Sequence, residues 1–237
     1  MVDKSTDQIL LMKQVVGRKA SGYVQSGMTI GIGSGSTALQ SIVAIGERLV
    51  SGDLREVYGV ATSYQSAIDA REAGIPLIDV CQVDEIDLTI DGADEVSPGK
   101  CLIKGGGAAQ VMEKVIAKLS EKFIVIVDST KISEKIGELA PIPVAVLPQS
   151  SKLALKQLAA LGGNPKVRMA TQKLGPVITD NGNMIIDVWF DQIHEPTSLE
   201  GEINLIPGVV DNGLFVDLAS LVLVGDLQDG NPVVYEY

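Results

Sequence analysis

The sequence predicts an α/β fold in which a Rossmann-like, mostly parallel sheet is flanked by helices, with a smaller inserted α+β domain. Three observations predict it. Short apolar segments alternate with segments of helical spacing up to residue 131, which indicates right-handed strand–helix–strand units. Four apolar segments end in polar or acidic residues, at the strand ends where open α/β sheets bind ligands. After residue 136 the alternation ends and prolines become frequent.

The first elements are a helix, a strand, a turn and a second helix. Residues 7–25 have apolar side chains at roughly helical spacing and stop before Gly27. A strand predicted at 28–32 ends in the turn 33–37, whose sequence is Gly-Ser-Gly-Ser-Thr, and residues 38–50 are again helical. Because the first N–H groups of a helix and its dipole point at the same place, this turn predicts an anion site.

Two common nucleotide-binding motifs do not fit this turn. A Walker A loop needs a lysine where Ser36 stands. A dinucleotide fingerprint needs a third glycine and an acidic residue at a strand end about 20 residues further on, and the sequence has neither in the required place. The sequence therefore favours the phosphate of a small metabolite over a nucleotide.

The following elements continue the alternation and end in chemically useful side chains. Strands are predicted at 57–61, 77–80, 86–90 and 123–127, with a helix at 67–73. Hydroxyls at 62–66, the carboxylate of Asp91 and the polar segment 128–131 follow three of these strands. Since the carboxyl ends of parallel strands share one edge of a sheet, these groups predict a common site.

The segment from Asp91 to Glu113 concentrates the candidate chemistry. Its three consecutive glycines cost roughly 1 kcal/mol each relative to alanine in a helix, so close approach of the backbone to a ligand explains them better than propensity. A helix begins near Ala108, and its spacing places Glu113 on one stripe with Ala109 and Gly106. The alternative, in which Glu113 is a solvated helix residue and the glycines form an ordinary loop, stays open on this segment alone.

The remainder of the chain predicts the inserted domain. Strands are expected at 144–147, 167–169, 176–179 and 184–189, helices at 151–161 and 197–205, and an Asn-Gly hairpin turn at 180–183. Residues 218–225 and 233–237 have the pattern of strands that return to the first sheet. We therefore expect a catalytic α/β domain at 1–136 and 216–237 and an inserted α+β domain at 137–215.

Charge and composition exclude several classes of function. The 237 residues have a formal net charge of -11, which disfavours nucleic acid as a partner. Cys81 and Cys101 form neither a metal motif nor a disulfide framework, and the single His194 has no partner at metal spacing, so we expect no metal site. No apolar segment approaches a membrane span and the N-terminus has no signal-peptide core, so we expect a cytoplasmic protein without a membrane partner.

Several motifs together resemble one known family. The motifs are Gly-Ser-Gly-Ser-Thr at 33–37, Asp-Gly-Ala-Asp-Glu at 91–95, Lys-Gly-Gly-Gly-Ala-Ala at 104–109, Glu-Lys at 113–114, Thr-Asp-Asn-Gly-Asn at 179–183 and Ile-Pro-Gly-Val-Val at 206–210. In this order they resemble ribose-5-phosphate isomerase of the A type. The motifs at 91–95 and 104–109 are specific, whereas the turn at 33–37 alone is a weak signal.

The resemblance implies an aldose–ketose isomerase that interconverts D-ribose 5-phosphate and D-ribulose 5-phosphate in the non-oxidative pentose phosphate pathway, without a metal or organic cofactor. Glu113 is the implied base, which moves a proton between C1 and C2 through an enediol. Lys104 is implied to neutralise the enediolate, and Asp91 to help open the sugar ring. A homodimer or homotetramer is the implied assembly.

The resemblance also implies a set of substrate-binding residues. They are Ser34, Gly35, Ser36, Thr37, Asp91, Gly92, Ala93, Asp94, Lys104, Gly105, Gly106, Gly107 and Lys131. The hydroxyls, Lys131 and backbone N–H groups hold the phosphate and nearby hydroxyls, and the acidic residues bind sugar hydroxyls. Ser34 replaces the threonine usual in the family, which keeps the hydroxyl and removes a methyl. Lys13 in the first helix could reach a phosphate, but it is interpreted as structural.

Two functions of other classes compete with this interpretation. A sugar-phosphate sensor would carry a DNA-binding helix-turn-helix before the sheet, for which about 27 residues leave little room. It would also not need Glu113. An enzyme related to the CoA-transferases would also place a catalytic glutamate on a similar fold, but it would require a groove of the size of CoA.

Overall fold

The computed structural model describes residues 4–237. The helices are α1 (Thr6–Ser21), α2 (Ala38–Ser51), α3 (Tyr64–Glu72), α4 (Gln110–Leu119), α5 (Ser151–Ala160) and α6 (Pro196–Asn204). The strands are β1 (Thr29–Ile32), β2 (Tyr58–Ala61), β3 (Ile86–Asp91), β4 (Glu95–Ser97), β5 (Cys101–Ile103), β6 (Ser120–Asp128), β7 (Ile142–Val146), β8 (Asn164–Val167), β9 (Met184–Trp189), β10 (Val209–Asn212), β11 (Leu214–Phe215), β12 (Leu221–Gln228) and β13 (Asn231–Glu236).

The chain divides into two compact units. The first comprises the described residues up to Gly92, together with Met112–Ile132 and Leu218–Tyr237. The second comprises Ala93–Val111 and Ser133–Asp217. The domain limits expected from the sequence, at 136/137 and 215/216, stay a prediction.

The first unit contains a sheet with the strand order β13-β12-β6-β3-β1-β2. The neighbouring strands are parallel except for β13, which runs antiparallel to β12. Strand β1 lies between β2 and β3, so the chain moves outward from β1 to β2 and then resumes on the other side of β1. This arrangement creates a topological switch point at the carboxyl ends of β1 and β3, which is the place where open α/β sheets bind ligands.

Aliphatic side chains from both the sheet and its helices form the core of the first unit. Ile30, Ile90 and Ile126 of the sheet pack with Val16 of α1 and Ile42 of α2, and all five are at most 2% exposed. Burying each such side chain contributes roughly 1.5–3 kcal/mol, which makes this core the main stabilisation of the unit.

One glycine allows α1 to approach the sheet closely. A Cβ at Gly225 of β12 would lie 2.2 Å from the carbonyl oxygen of Met12 in α1, so a larger residue would push the helix away. Helix α1 begins with a capping box, in which the Ser5 Oγ accepts the N–H of Gln8 and the Gln8 side chain accepts the N–H of Ser5.

The second unit has two antiparallel sheets. One has the order β10-β7-β9-β8 and the other the order β11-β5-β4. Strands of both sheets contribute to a single core, in which Ile103, Val144, Ile186 and Leu214 pack with Leu158 of α5 and are fully buried. The Rossmann-like sheet and the smaller α+β unit together confirm the predicted fold class.

Some predicted elements were wrong. The strand expected at 77–80 is absent: Leu77 forms only an isolated bridge with Gly59, and Val80–Gln82 is a 3-10 turn in which the carboxylate of Asp79 accepts the N–H of Cys81 at 2.8 Å. The strand expected at 167–169 lies earlier, as β8. The segment 176–179 forms only isolated bridges around the turn that leads into β9. Strands β4, β5, β10 and β11, which have four residues or fewer, were not predicted from the sequence.

Candidate active site

The predicted convergence of polar strand ends is present in the first unit. The strands β6, β3, β1 and β2 are successive neighbours in the sheet, and their carboxyl ends deliver Asp128, Asp91, Gly33 and Thr62. All these groups therefore lie along one edge. The switch point between β1 and β3 is the centre of that edge.

Asp91 is held at the switch point by backbone donors. The carboxylate is 1% exposed, and its Oδ1 accepts the N–H of Ser34 at 3.0 Å and that of Gly92 at 2.7 Å. A Cβ at Gly33 would lie 2.2 Å from this oxygen, so only glycine permits the contact. The end of β1 and the end of β3 thus fix the orientation of one buried carboxylate.

Hydroxyl groups surround the turn that follows β1. The Oγ of Ser34 lies 2.8 Å from the Oγ1 of Thr62 and 2.6 Å from the Oγ of Ser63, so the hydroxyl of Ser34 already has protein partners. Gly35 has a φ of +96°, a left-handed conformation that glycine adopts without strain. Ser36 is exposed and Thr37 is half-buried at the start of α2.

Lys13 of α1 brings a cation to this turn, and its interpretation from the sequence as structural stays a prediction. Its Nζ donates to the Oγ of Ser36 at 3.0 Å. The packing of α1 against α2 creates this contact, so the sequence spacing contains no signal for it. A lysine beside a helix N-terminus adds to the attraction of an anion.

Lys131 follows β6 on a short turn. Asp128, 1% exposed, accepts the N–H of Thr130 at 3.1 Å and starts this turn, on which Lys131 is half-buried.

Asp226 of β12 holds the same turn through Ser129: Lys4 and Ser129 both donate to its Oδ1. Burial alone would raise the pKa of Asp226, but these hydrogen bonds hold it below its ordinary value.

In the second unit, Lys104 is a buried cation at the end of β5. The residue is 2% exposed, its N–H donates to the carbonyl of Gly213 at 2.9 Å, and its Nζ lies 5.5 Å from the ring centroid of Phe215. Phe215 is itself fully buried on β11, which pairs with β5. Phe215, whose ring face attracts a desolvated ammonium group, was not among the residues predicted from the sequence.

The glycines after Lys104 do approach other groups closely, but these groups are protein side chains. A Cβ at Gly106 would lie 2.5 Å from the Oδ1 of Asp94, whose Oδ2 accepts the Gly106 N–H at 2.7 Å. Gly105 has a φ of +105°, and a Cβ there would lie 2.8 Å from the Oε1 of Gln110. No heavy atom lies within 4 Å of the place where a Cβ at Gly107 would be. Of the three glycines, Gly107 alone therefore leaves the space into which a ligand was expected to approach.

Gln110 and Glu113 occupy the first turn of α4. Gln110 is fully buried, and neither polar atom of its side chain has a hydrogen-bond partner within residues 4–237. Glu113 is 5% exposed, which contradicts the alternative of a solvated helix residue. Of the predicted catalytic residues, Asp91 and Glu113 belong to the first unit and Lys104 belongs to the second.

The motif at 91–95 divides between different roles. Gly92 binds Asp91, as described, and Ala93 is half-buried. Glu95 is fully buried, and its carboxylate accepts the N–H groups of Glu138, Leu139 and Ala140 at 2.9–3.0 Å. Glu95 is therefore a structural residue that fixes this loop of the second unit.

Arg168, which the sequence analysis did not identify, contacts the glycine loop. Its Nη1 donates to the carbonyl oxygens of Gly105 and Gly106, at 2.9 Å each, and its Nε donates to Asp187 at 2.8 Å. The residues in contact are about 60 positions apart in the sequence, so no local pattern predicts them.

The structure has no arrangement of three or more His, Cys, Asp or Glu side chains suited to a metal ion within residues 4–237. His194 is exposed. Over the same range, no helix combines the length and apolar character needed to cross a membrane.

A buried carboxylate at the switch point, beside a hydroxyl-rich helix start with its own lysine, fits the class of α/β enzymes that act on small phosphorylated metabolites. Comparison with known families defines it further. Residues 58–229 match the family model of ribose 5-phosphate isomerase A (phosphoriboisomerase A). The chain belongs to this family.

Individual relatives agree along nearly the whole chain. Ribose-5-phosphate isomerase A of Thermosynechococcus vestitus is 50% identical over 232 residues, which cover 98% of each chain. A solved D-ribose-5-phosphate isomerase in complex with phospho-erythronic acid has a TM-score of 0.91 at 42% identity, covering 95% of this chain and 98% of its own. Ribose 5-phosphate isomerase A of Methanocaldococcus jannaschii has a TM-score of 0.89 at 40% identity, with the same coverage.

The chain is therefore an aldose–ketose isomerase. It interconverts D-ribose 5-phosphate and D-ribulose 5-phosphate, a reaction of the non-oxidative pentose phosphate pathway.

Proposed function

We propose that Glu113 is the base of this isomerisation and that Lys104 stabilises the intermediate. The carboxylate of Glu113 removes the proton from C2 of the open-chain aldose, which forms a C1–C2 double bond and places negative charge on O1. The protonated Glu113 then returns the proton to C1, while the proton on O2 passes to O1 and C2 becomes the carbonyl. A single carboxylate therefore ends the cycle in its starting state.

The burial of Lys104 is the observation on which this proposal rests. A lysine that is 2% exposed is rare, because removing an ammonium group from water costs several kcal/mol. The same loss of water makes a fixed positive charge far more effective against developing negative charge than it would be in solution. This is the property that an enediolate intermediate requires.

The other proposed roles concern substrate binding. Asp91 binds a sugar hydroxyl and assists ring opening, and its two backbone donors support an orientation fixed before the substrate arrives. Asp94, Gly92 and Ala93 contact further sugar hydroxyls. The backbone N–H groups of the loop 105–107 supply additional donors to the oxygens of the substrate.

The phosphate is proposed to bind at the start of α2. Ser34, Gly35, Ser36 and Thr37 provide hydroxyls and N–H groups, and Lys131 provides positive charge. To these predicted residues we add Lys13, because its ammonium group already contacts the Oγ of Ser36. The neighbouring hydroxyls of Thr62 and Ser63 support a defined orientation of the Ser34 hydroxyl rather than free rotation.

An assay of the purified protein on ribose 5-phosphate tests the proposal. We expect wild-type turnover in a buffer that contains a chelator, since every proposed role belongs to a side chain or backbone group. For Lys104→Met, which keeps the length of the side chain and removes its charge, we expect kcat to fall about 100- to 1,000-fold with a smaller rise in KM. A large rise in KM at unchanged kcat would instead make Lys104 a ligand of the ground-state phosphate.

We also propose that the protein is a homodimer or homotetramer and that it acts in the cytoplasm. Leu11 and Val43, 38% and 45% exposed on α1 and α2, line one groove of the first unit and support an apolar contact there. Light scattering coupled to gel filtration, at several protein concentrations, measures the assembly directly. A monomeric mass at every concentration would contradict the proposal.

A further inference from the structure

We infer that Arg168, anchored by Asp187, is a positioning residue of this isomerase: it holds the glycine loop after Lys104 and, through one peptide group, orients Asp94. The inference rests on the proposed roles of this loop and of Asp94 in substrate binding. It assigns a function to an ion pair that the motifs of the family resemblance do not include.

Arg168 and Asp187 form a bidentate ion pair that leaves one guanidinium nitrogen for the glycine loop. The Nε of Arg168 donates to the Oδ2 of Asp187 at 2.8 Å, and Nη2 donates to the Oδ1, so the planar guanidinium group is held at two points. Its Nη1 donates to the carbonyl oxygens of Gly105 and Gly106, at 2.9 Å each. The side chains of the pair are only 16% and 22% exposed, which limits screening by solvent.

Both residues of this ion pair are held by the sheet that contains β8 and β9. Asp187 lies in β9, where it pairs with Lys166 of β8. The N–H of Arg168, just beyond the end of β8, donates to the carbonyl of Ile185 at 2.9 Å, which continues the ladder by one residue. Both members of the ion pair are therefore fixed by a sheet before their side chains reach the loop.

One peptide group transmits the effect of Arg168 to Asp94. The carbonyl oxygen of Gly105 accepts from Arg168 and from the N–H of Ala108, while the N–H of the same peptide group, on Gly106, donates to the Oδ2 of Asp94 at 2.7 Å. A cation bound to the oxygen of a peptide group polarises it and strengthens its N–H as a donor. Arg168 therefore reinforces the hydrogen bond that orients Asp94.

The loop needs such an external support because glycines do not hold a conformation themselves. Gly106 and Gly107 are exposed, and glycine loses more conformational entropy than any other residue when its backbone is ordered. In a planar trans peptide the C=O and N–H groups point in opposite directions. Arg168 binds the carbonyl oxygens of Gly105 and Gly106, so the N–H groups of the same two peptide groups point away from Arg168. The N–H of Gly106 is the one that reaches Asp94.

Steady-state kinetics of Arg168→Met test the inference, with Arg48→Met as the matched control. Arg48 is another partly buried arginine, whose Nη1 donates to the carbonyl oxygens of Ser21 and Val24 in the first unit. We expect both variants to lower the melting temperature. Only Arg168→Met is expected to lower kcat, by about 10- to 100-fold, with KM for ribose 5-phosphate changed less than about threefold, because a displaced loop misplaces the reacting groups.

Two further variants separate positioning from stability. Arg168→Lys keeps the charge but cannot bind a carboxylate and two carbonyls together, so we expect it to recover less than about a tenth of the lost kcat. Asp187→Asn leaves the guanidinium group in place and removes its anchor. It is expected to lower kcat by about 3- to 10-fold, and it provides the test if Arg168→Met does not fold.

The outcomes distinguish this inference from the proposed function. If folded Arg168→Met or Asp187→Asn has a kcat within twofold of wild type, or if Arg48→Met loses kcat equally, the positioning role is overturned. Neither result would affect the roles of Glu113 and Lys104. If wild type turns over but Lys104→Met has unchanged kcat, the proposed site is wrong, whatever the arginine variants show.

Discussion

Glu113 is the residue whose proposed chemistry is most sharply testable. The change Glu113→Gln keeps the size of the side chain and removes its ability to take a proton. Because general base catalysis contributes about 100- to 10,000-fold, we expect kcat to fall by about this factor while ligand binding persists. Turnover measures the loss. Titration calorimetry measures binding, with phospho-erythronic acid, the ligand of the solved relative, as the probe.

The control for this variant is Glu121→Gln, which removes a carboxylate from an exposed position in β6. It is expected to keep the kcat of wild type. Near-native turnover by Glu113→Gln would remove Glu113 from its role as the base, and lost binding of phospho-erythronic acid would show that the carboxylate acts on affinity rather than on proton transfer.

Gln110 gives the opposite kind of prediction, in which a substitution stabilises the protein. Its buried amide has no hydrogen-bond partner among the described residues, and an unsatisfied buried polar group costs about 1–3 kcal/mol. Methionine is similarly long and unbranched, so Gln110→Met is expected to raise the free energy of unfolding by about that amount. Urea denaturation followed by circular dichroism measures it.

The comparison for Gln110 is Gln65→Met on α3, where an exposed amide donates to Asp69 at 2.8 Å. There we expect no gain in stability, since the amide already has a partner and solvent. If Gln110→Met is no more stable than wild type, the prediction is wrong, and the amide of Gln110 has a hydrogen-bond partner in solution, such as a bound water.

At the scale of elements, the glycine loop is shaped by the side chains that it must clear. A Cβ at Gly106 would lie 2.5 Å from Asp94, so Gly106→Ala must displace either the loop or the carboxylate. We expect kcat/KM to fall about 100-fold, because displacement of about 1 Å from the reactive geometry has that effect. The coupled assay on ribose 5-phosphate measures it.

Gly201→Ala is the matched control for this loop substitution. Gly201 lies inside α6 of the same unit, and its Cβ position has no neighbour within 4 Å. Alanine there is expected to raise stability by about 0.5–1 kcal/mol through helix propensity and to leave kcat/KM unchanged. Equal losses of activity in the two variants would contradict the steric argument.

The same scale shows which parts of the fold the sequence could predict. The strands β3 and β9 were placed to within a residue, because uninterrupted apolar segments with clear ends identify them. The strands β4 and β5 were missed, since three residues are too few for a periodicity. The segment 77–80 has a strand-like composition but only one bridge to β2, so local propensity was overridden by tertiary pairing.

The site divides in the same way. Asp91 and the turn 33–37 were predictable because strand ends and helix starts are local features that fix where a side chain goes. Lys13 and Arg168 were not, because their contacts with Ser36 and Gly105 join residues 23 and 63 positions apart. Only the packing of α1 on α2, and of β8 on β9, brings these cations to their partners.

For the whole molecule, charge distribution matters more than total charge. A net charge of -11 repels a sugar phosphate on average. The structure compensates locally, with Lys13 at the α2 turn and Lys104 buried beside Phe215. A lysine in contact with a phosphate is much closer to it than the Debye length of about 8–10 Å, so salt screens this attraction little. The repulsion by distant acidic residues is largely screened at physiological salt. With the roles proposed for Lys13 and Lys104, we expect local cations rather than the mean field to determine the binding of the anionic substrate.

The two cysteines report on the integrity of the whole molecule. Cys81 is exposed, whereas Cys101 is 8% exposed in the core of the second unit. Burial, with the negative charge of Glu200 adding to it, raises the pKa of Cys101 to about 11, and the hydrogen bond and charge of Asp79 raise the pKa of Cys81. Because the thiolate is the reactive form, Cys101 is doubly protected, by burial and by protonation.

A thiol-reactive disulfide reagent at pH 8 is therefore expected to label one thiol per native chain rapidly and both in denaturant. In Cys81→Ser, labelling requires the second unit to open, so its rate measures the free energy of that opening. The labelling rate of Cys81 should keep rising with pH beyond the ordinary pKa of a thiol, because its own pKa lies higher. Rapid labelling of both cysteines in the native protein would show that the second unit opens without global unfolding.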